Sequence, residues 1–434
     1  MKLVIIGTGY VGLVSGLCFA EFGFETICVD KDKDRIKKLE ECKCPFFEPG
    51  LETLLTKHIK ESKLLSFSSS LNSAMKNSNI IFITVGTPSK RLEDEADLTS
   101  VYNVANEIAE NIKKYCVVVT KSTVPVGTTR EVNKIIASKV HKDKFDTVSN
   151  PEFLREGSAI NDFMRPDRVV IGCDTKKAEK IMRDLYRPLY LLETPIVATT
   201  VESAEIIKYA SNSFLATKIA FINQVSNLCE SVGGDIQDVA KAMGLDKRIG
   251  SKFLHAGPGF GGSCFPKDLK AFISSAKLNN IDFSILESVN ISNKKRPMEV
   301  VLKILNKFEN IVSDKTFAIL GLSFKPNTDD VRDSTSMIIA KSLLDKNAKI
   351  QTYDPQAINN AKKILPNLNY CNSVKEACEG VDAIIIATEW NEFRALDLKE
   401  LKKHMKRPII FDLRNIYNKD DLVNLNFEYY GIGK

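Results

Sequence analysis

The 434-residue chain carries 61 Lys+Arg against 55 Asp+Glu, a formal net charge of +6, with 44% hydrophobic and 27% charged residues. That balance excludes disorder and a collagen-like fibre, and the length fits about three domains or two large ones. The charges are well mixed, which argues against nucleic acid as the main partner and leaves room for a local basic pocket that holds an anionic small molecule.

No stretch approaches the ~20 apolar residues of a membrane span. The apolar run after Lys2 is broken by Gly7, Gly9, Gly12 and Gly16 and followed by Glu21 and Glu25, so it reads as folded structure rather than a secretory signal. Ten cysteines in a long chain do not make a small-domain disulfide framework. Several, such as Cys28 in ETICVD, sit inside apolar strand patterns and read as buried thiols, which points to a cytoplasmic protein.

In chain order, KLVIIG (Lys2 to Gly7) reads as a strand buried on both faces, followed by a glycine turn and an apolar helix to about Phe22. ETICVD (Glu25 to Asp30) is a second strand and KDKDRIKKLEE a charged helix. NIIFITVG (Asn79 to Gly86) and CVVVTKS (Cys116 to Ser122) are further strands, with a helix pattern from about Thr99 to Lys114 between them. TVSNPEF (Thr147 to Phe153) and RVVIG (Arg168 to Gly172) add two more. Strands alternating with helices predict an α/β fold with a parallel, doubly wound sheet.

From about Ser203 to Val232 the sequence holds no Pro or Gly and many apolar residues. About 30 residues at 1.5 Å each make a helix on the order of 45 Å long. Such a helix suits a link between two domains that also packs against a second subunit.

The C-terminal third repeats the opening. TFAILGLSF (Thr316 to Phe324) parallels KLVIIGTGY, AKIQTYDP (Ala348 to Pro355) parallels FETICVDKD, DAIIIATEW (Asp382 to Trp390) parallels NIIFITVGT, and PIIFDLRN (Pro408 to Asn415) resembles VVVTKST. The expected architecture is two Rossmann-like doubly wound domains joined by a long central helix. Its segments are 1–200 (first α/β domain), 201–300 (central and helical, with a cysteine loop) and 301–434 (second α/β domain).

GTGYVG (Gly7 to Gly12) fits G-x-G-x-x-G directly after a strand and at the start of a helix. Gly7 permits the bend, Gly9 lets backbone approach a pyrophosphate, and Gly12 lets helix and strand pack closely. The helix N-terminus offers N–H groups and partial positive charge to the phosphates. Asp30, ending the second strand, suits the ribose 2′-hydroxyl of NAD and repels the extra phosphate of NADP, a preference that Lys31 softens. The alternative is that the glycines serve only turn and packing. The C-terminal copy lacks the fingerprint: GLSFKP keeps Gly321, adds Lys325, and Asp354 still ends its second strand. Either a different phosphate-bearing ligand binds there, or the copy is kept for its core.

Cys264 lies in GPGFGGSCFPKD (Gly257 to Asp268), a loop of glycines and prolines with Lys267 and Asp268 close behind. A nucleophilic cysteine needs exposure and nearby positive charge; the alternative is an incidental loop thiol. Lys208 and Asn212, four apart, share a helix face. They suit oxyanion stabilisation and hydroxyl orientation, or else form an ordinary solvated face. Thr123, Pro125, Glu152 and Glu156 sit at or after strand ends, the edge where parallel sheets bind ligands. The four histidines form no metal-ligand spacing, Cys42-x-Cys44 is too close for a zinc knuckle, and no G-x-S-x-G is present. NAD and a thiol together suit a four-electron oxidation. Hydride loss from a primary alcohol gives an aldehyde, thiolate addition makes a thiohemiacetal, a second hydride loss gives a thioester, and water releases the acid.

GTGYVG, TVGTPS, KSTVPVGTT, SNPEFLREG, EIIKYASNSFLA, RIGSKFL, GFGGSCFPKD and GLSFKPNTDDVRDS occur in this order from Gly7 to Ser334. This set resembles the UDP-glucose 6-dehydrogenases of the UDP-glucose/GDP-mannose dehydrogenase family, across essentially the whole chain. The resemblance implies NAD-dependent oxidation of UDP-glucose to UDP-glucuronate by a homodimer, with sibling substrates (UDP-N-acetylmannosamine, UDP-N-acetylglucosamine, GDP-mannose) as the nearest alternatives. It makes Cys264 the covalent nucleophile and gives Lys208 and Asn212 the oxyanion near the sugar C6. Thr123, Glu152 and Asp268 would handle water and protons. Along the UDP-sugar it places Phe153, Leu154, Phe260, Gly261, Phe324 and Lys325, with Arg248 reaching the sugar nucleotide of a partner subunit. Against the cofactor it places Tyr10, Val11, Thr87, Glu156, Lys267 and Arg332 beside the glycine turn, Asp30 and Lys31. His255 stands where some relatives carry lysine.

Overall fold

The protein, seen in a computed structural model, is described over residues 1–90 and 95–434. Its short β-branched runs become strands because every second side chain enters one of two apolar layers. In β1 (Lys2–Ile6), Leu3 and Ile5 join a cluster with Leu13, Leu17 and Phe82, whereas Val4 and Ile6 join another with Ile81, Val118 and Ile108. A strand buried on both sides in this way sits inside a helix–sheet–helix sandwich, and each buried Leu or Ile contributes roughly 1.5–3 kcal/mol.

The remaining strands of this sheet are β2 (Glu25–Val29), β3 (Leu65–Ser68), β4 (Ile80–Ile83), β5 (Cys116–Thr120), β6 (Phe145–Ser149), β7 (Val169–Cys173) and β8 (Ile196–Thr199). Their order is β3-β2-β1-β4-β5-β6-β7-β8. All pairs are parallel except β6 with β7, where Val148 faces Cys173 and Ser149 faces Gly172 in antiparallel register. The expected wholly parallel sheet is therefore corrected at RVVIG. The six-residue helix Ala159–Met164 does not carry the chain back across the sheet; Phe163 packs on Phe19 (ring centroids 5.0 Å apart). β7 starts beyond the end of β6 and runs back beside it.

A second sheet comprises β9 (Thr316–Leu320), β10 (Lys349–Tyr353), β11 (Asn369–Tyr370), β12 (Ala383–Ile386), β13 (Ile409–Asp412) and β14 (Glu428–Gly431), ordered β11-β10-β9-β12-β13-β14 and parallel throughout. This repeats the order of the first six strands of the first sheet, the doubly wound dinucleotide arrangement. The likeness of the two ends of the sequence is thus a likeness of topology. The strands without a sequence signal, β3, β8, β11 and β14, are short or partly exposed, so no apolar run marked them.

The long helix runs from Val201 to Val232, close to its predicted bounds. The chain divides into two compact units, one of residues 1–211 with 270–281, the other of 212–269 with 282–434. In the second unit Ile222 and Cys229 of the long helix enter the core built on Phe317, Ile319 and Phe411. Among the described residues no helix is long and apolar enough to cross a membrane.

Candidate active site

In the first unit the glycine turn links β1 to the helix Tyr10–Glu21. A Cβ on Gly12 would lie 1.9 Å from the Gly7 carbonyl oxygen, so only glycine lets the helix close on the turn. A Cβ on Gly9 would meet nothing within 4 Å, so open space fronts the helix end. That end has no side-chain cap and no acidic residue in its first turn, which leaves its partial positive charge available to an anion. Asp30 accepts from Thr8 N at 2.9 Å and Thr8 Oγ1 at 2.7 Å, and lies 3.4 Å from an Arg35 guanidinium nitrogen. Burial pushes the Asp30 carboxyl up, but the donors of Thr8 and Asp32 and the Arg35 charge outweigh it and hold the group below its ordinary value. An ionised carboxylate beside an open helix end fits a dinucleotide with free ribose hydroxyls. Tyr10 donates to Glu48, which also accepts from Gly157 N at 2.6 Å and Ala159 N at 2.8 Å. This ties the turn to the loop that carries Glu156. Lys31 is exposed.

At the strand ends of the same unit, Thr87 Oγ1 donates to the Thr123 carbonyl at 2.8 Å. Glu152 Oε1 accepts from Lys208 Nζ at 3.0 Å, and Glu152 Oε2 from Leu154 N at 2.5 Å. Lys208 Nζ also stands 5.3 Å from the Phe153 ring centroid. The solvated-face reading of the long helix is overturned here: Lys208 is 3% and Asn212 8% exposed. A buried lysine held against a buried carboxylate is a costly arrangement unless it is used.

In the second unit Asn212 Nδ2 donates to Asp268 Oδ2 at 2.7 Å, and Lys267 Nζ to Asp268 Oδ1 at 2.6 Å. The Asp268 N–H closes the first turn of the helix Phe265–Leu278 on the Cys264 carbonyl at 2.8 Å. Asp268 is thereby fixed one turn beyond the thiol. Cys264 is half-buried, with Ser263 Oγ 3.5 Å from its sulfur. Gly262 N donates to the Arg332 carbonyl at 2.9 Å, and a Cβ on Gly262 would lie 2.7 Å from the Phe324 ring. The cysteine loop and the GLSFKPNTDDVRDS loop therefore pack together, which brings Phe260, Gly261, Phe324, Lys325 and Arg332 into one neighbourhood.

The C-terminal copy explains its missing fingerprint. Its helix does not begin until Thr335, so the segment after Gly321 is a loop rather than a helix N-terminus. Asp354 is used up internally, accepting from Leu322 N, Ser323 N, Ser323 Oγ, Trp390 Nε1, Gln356 N and Ala357 N. Arg248 is exposed and paired with Asp246 at 2.6 Å, and His255 is exposed.

Three sets of residues escaped sequence reasoning. Asn293 clips the cysteine loop like a strand partner, accepting from Phe260 N and donating to Phe260 O, both at 2.9 Å. Buried Arg296 donates to the Gly257 carbonyl at 2.8 Å, and Asn223 accepts from Gly257 N at 2.8 Å. In the first unit, buried Lys121 donates to Asn150 Oδ1 at 3.1 Å and Tyr186 OH at 3.3 Å. The quoted motifs KSTVPVGTT and SNPEFLREG contain Lys121 and Asn150, yet no local pattern shows that they meet.

A helix end open to a pyrophosphate, a second nucleotide-type sheet and a pinned loop thiol define an oxidoreductase that uses a dinucleotide. Family models match the chain in three consecutive parts: the NAD binding domain of the UDP-glucose/GDP-mannose dehydrogenase family at residues 1–190, its central domain at 202–295 and its UDP binding domain at 318–419. The chain is 49% identical over 436 residues to the UDP-glucose 6-dehydrogenase of Rhizobium meliloti (strain 1021), covering all of both chains. It is 46% identical over 435 residues to that of Rickettsia bellii (strain RML369-C), covering 100% of this chain and 99% of the other. A solved UDP-glucose dehydrogenase from Pyrobaculum islandicum superposes with a TM-score of 0.91 at 36% identity, covering 100% of this chain and 97% of that one. The chain belongs to the UDP-glucose/GDP-mannose dehydrogenase family and is an NAD-dependent dehydrogenase, as its motifs led us to expect.

Proposed function

We propose that this enzyme oxidises the C6 hydroxymethyl of UDP-glucose to the carboxylate of UDP-glucuronate, reducing two NAD per turnover. One observation carries the reading. The half-buried Cys264 is fixed one helical turn before an Asp268 that Asn212 and Lys267 hold from both sides. Full-length identity of 49% to a UDP-glucose 6-dehydrogenase supports the choice of sugar nucleotide.

The glycine turn Gly7–Gly12 with Asp30 would hold NAD, which would supply the hydride acceptor for each of two rounds. Glu152 takes up the hydroxyl proton, directly or through a water that Thr123 orients, while Lys208 and Asn212 stabilise oxygen as it becomes anionic. The Cys264 thiolate adds to the aldehyde carbon, giving a thiohemiacetal that can lose a second hydride and become a thioester. Asp268 directs water onto the thioester carbonyl, which breaks the C–S bond, frees the acid and returns the thiol. Phe324 and Lys325 hold the UDP moiety, Phe153, Leu154, Phe260 and Gly261 line the sugar, and Arg332 and Lys267 lie towards the cofactor.

The working form is a homodimer. On the long helix Phe214, Phe221 and Leu228 recur every seven residues and stay exposed, and Ile291 and Met298 do so on the helix Ser284–Lys307. Apolar stripes of this period suit a facing helix from a second copy, which would bring the exposed Arg248 to a neighbouring site. Ten cysteines without a disulfide fit a reducing, cytoplasmic setting.

The test is to supply UDP-glucose and NAD and count NADH per UDP-glucuronate. A ratio of two supports the mechanism; a ratio of one ends it. Rates on UDP-N-acetylmannosamine, UDP-N-acetylglucosamine and GDP-mannose, measured alongside, decide the sugar.

A further inference from the structure

Lys121 is buried at the end of β5, yet among the described residues its hydrogen-bond acceptors are neutral: Asn150 Oδ1 and the Tyr186 hydroxyl. Tyr186 OH itself donates to Asn150 Oδ1 at 2.6 Å, and Asn150 Nδ2 donates to the Val170 carbonyl at 2.7 Å. Three hydrogen bonds thus hold the Asn150 amide, which stands two residues before Glu152. Lys121, Asn150, Glu152, Phe153 and Tyr186 line one small cavity.

We propose that Lys121 is a positioning residue for the oxidation, holding the Glu152 loop through Asn150 and adding a second buried positive charge beside the Glu152–Lys208 pair. This rests on the dehydrogenase reading above and assigns Lys121 no contact with substrate.

The charged and titratable groups around Lys121 come from five segments, Asp162 lying on the helix Ala159–Met164. They are Glu152 after β6, Lys208 on the long helix, Tyr186 after the helix Lys176–Leu185, and Asp162 and Arg168 before β7, which line the same cavity. Burial, reinforced by Lys208 and opposed by Glu152, pushes the Lys121 ammonium down to about 8. Its charge therefore changes around pH 8, while an arginine there would stay charged.

The experiment follows NADH formation from UDP-glucose between pH 6.5 and 10 in wild type, Lys121→Met and Lys121→Arg. Lys121→Met is expected to lower kcat about tenfold with KM for either substrate changed less than about threefold, and to lack the inflection expected near pH 8 in wild type. Lys121→Arg is expected to recover most of kcat without that inflection. A Lys121→Met profile parallel to wild type, or equal losses in the two variants, overturns the proposal. The NMR signal of the Lys121 side-chain Cε–H, assigned by its loss in Lys121→Arg, reads the titration without turnover. It is expected to shift its midpoint in Glu152→Gln; an unchanged midpoint, or one above about 10, also overturns the proposal. Absence of NADH from wild type and UDP-glucose would end the substrate reading instead, and the NMR titration would still decide the case of Lys121.

Discussion

Lys208 Nζ meets Glu152 Oε1 at 3.0 Å with both side chains almost fully buried, a pair that joins the long helix to the loop after β6. Removing one partner strands a charge away from water. Lys208→Met is expected to lower the unfolding free energy by about 3 kcal/mol, and Lys208→Met/Glu152→Gln to restore most of it. Activity should stay low in both, because stability returns with charge balance and chemistry does not. Denaturant titration with kcat in parallel checks this; a double variant with restored activity would remove Lys208 from the mechanism.

Cys264→Ala should form no UDP-glucuronate, and Cys264→Ser should accumulate a slowly hydrolysed ester on the protein. Mass spectrometry of quenched reactions reads both. Iodoacetamide should abolish wild-type activity, with UDP-glucose protecting; unprotected alkylation elsewhere with activity intact counts against the thiol.

The two glycines of the turn should separate folding from cofactor binding. Gly12→Ala puts a Cβ 1.9 Å from the Gly7 oxygen and should lower Tm by several degrees as well as weaken NAD. Gly9→Ala meets no atom, so its Tm should stay near wild type while the Kd for NAD rises about tenfold or more. Equal Tm losses would show that Gly9 serves the fold and not the phosphates.

Lys121 also sets a pH dependence of stability. Its native value of about 8 lies below the ordinary 10.5. Between those values the unfolded chain holds more protons on this residue than the native chain, so its contribution to stability rises with pH across that window. The stability of Lys121→Met relative to wild type should therefore fall from pH 7 to pH 10, by on the order of 2–3 kcal/mol. Urea titrations at both pH values measure the difference; a constant gap means that Lys121 titrates normally.

Phe221→Glu places a charge in the middle of the exposed stripe of the long helix. Light scattering should find wild type at twice the chain mass and Phe221→Glu at or near the monomer mass, with near-ultraviolet circular dichroism unchanged. A monomeric wild type would sink the dimer.

The sequence by itself determined the two α/β ends, the glycine turn and the cysteine loop. Each is written in a contiguous run: apolar residues in KLVII or TFAIL fix a strand buried on both faces, and glycine at 7, 9 and 12 fixes the turn. The resemblance of eight such runs also fixed the family. Only the tertiary structure decided what the side chains do to each other. Lys208 with Glu152 and Asn212 with Asp268 are both pairs 56 residues apart in sequence, and nothing in the periodicity of EIIKYASNSF distinguishes a buried ionic pair from a solvated face. The direction of β7, the internal use of Asp354 and the Lys121–Asn150–Tyr186 cluster are of the same kind. Local pattern reports which apolar residues leave water, because that depends on neighbours two to four positions away; whether a polar group is buried, and the partner it then finds, depend on how distant segments close around it.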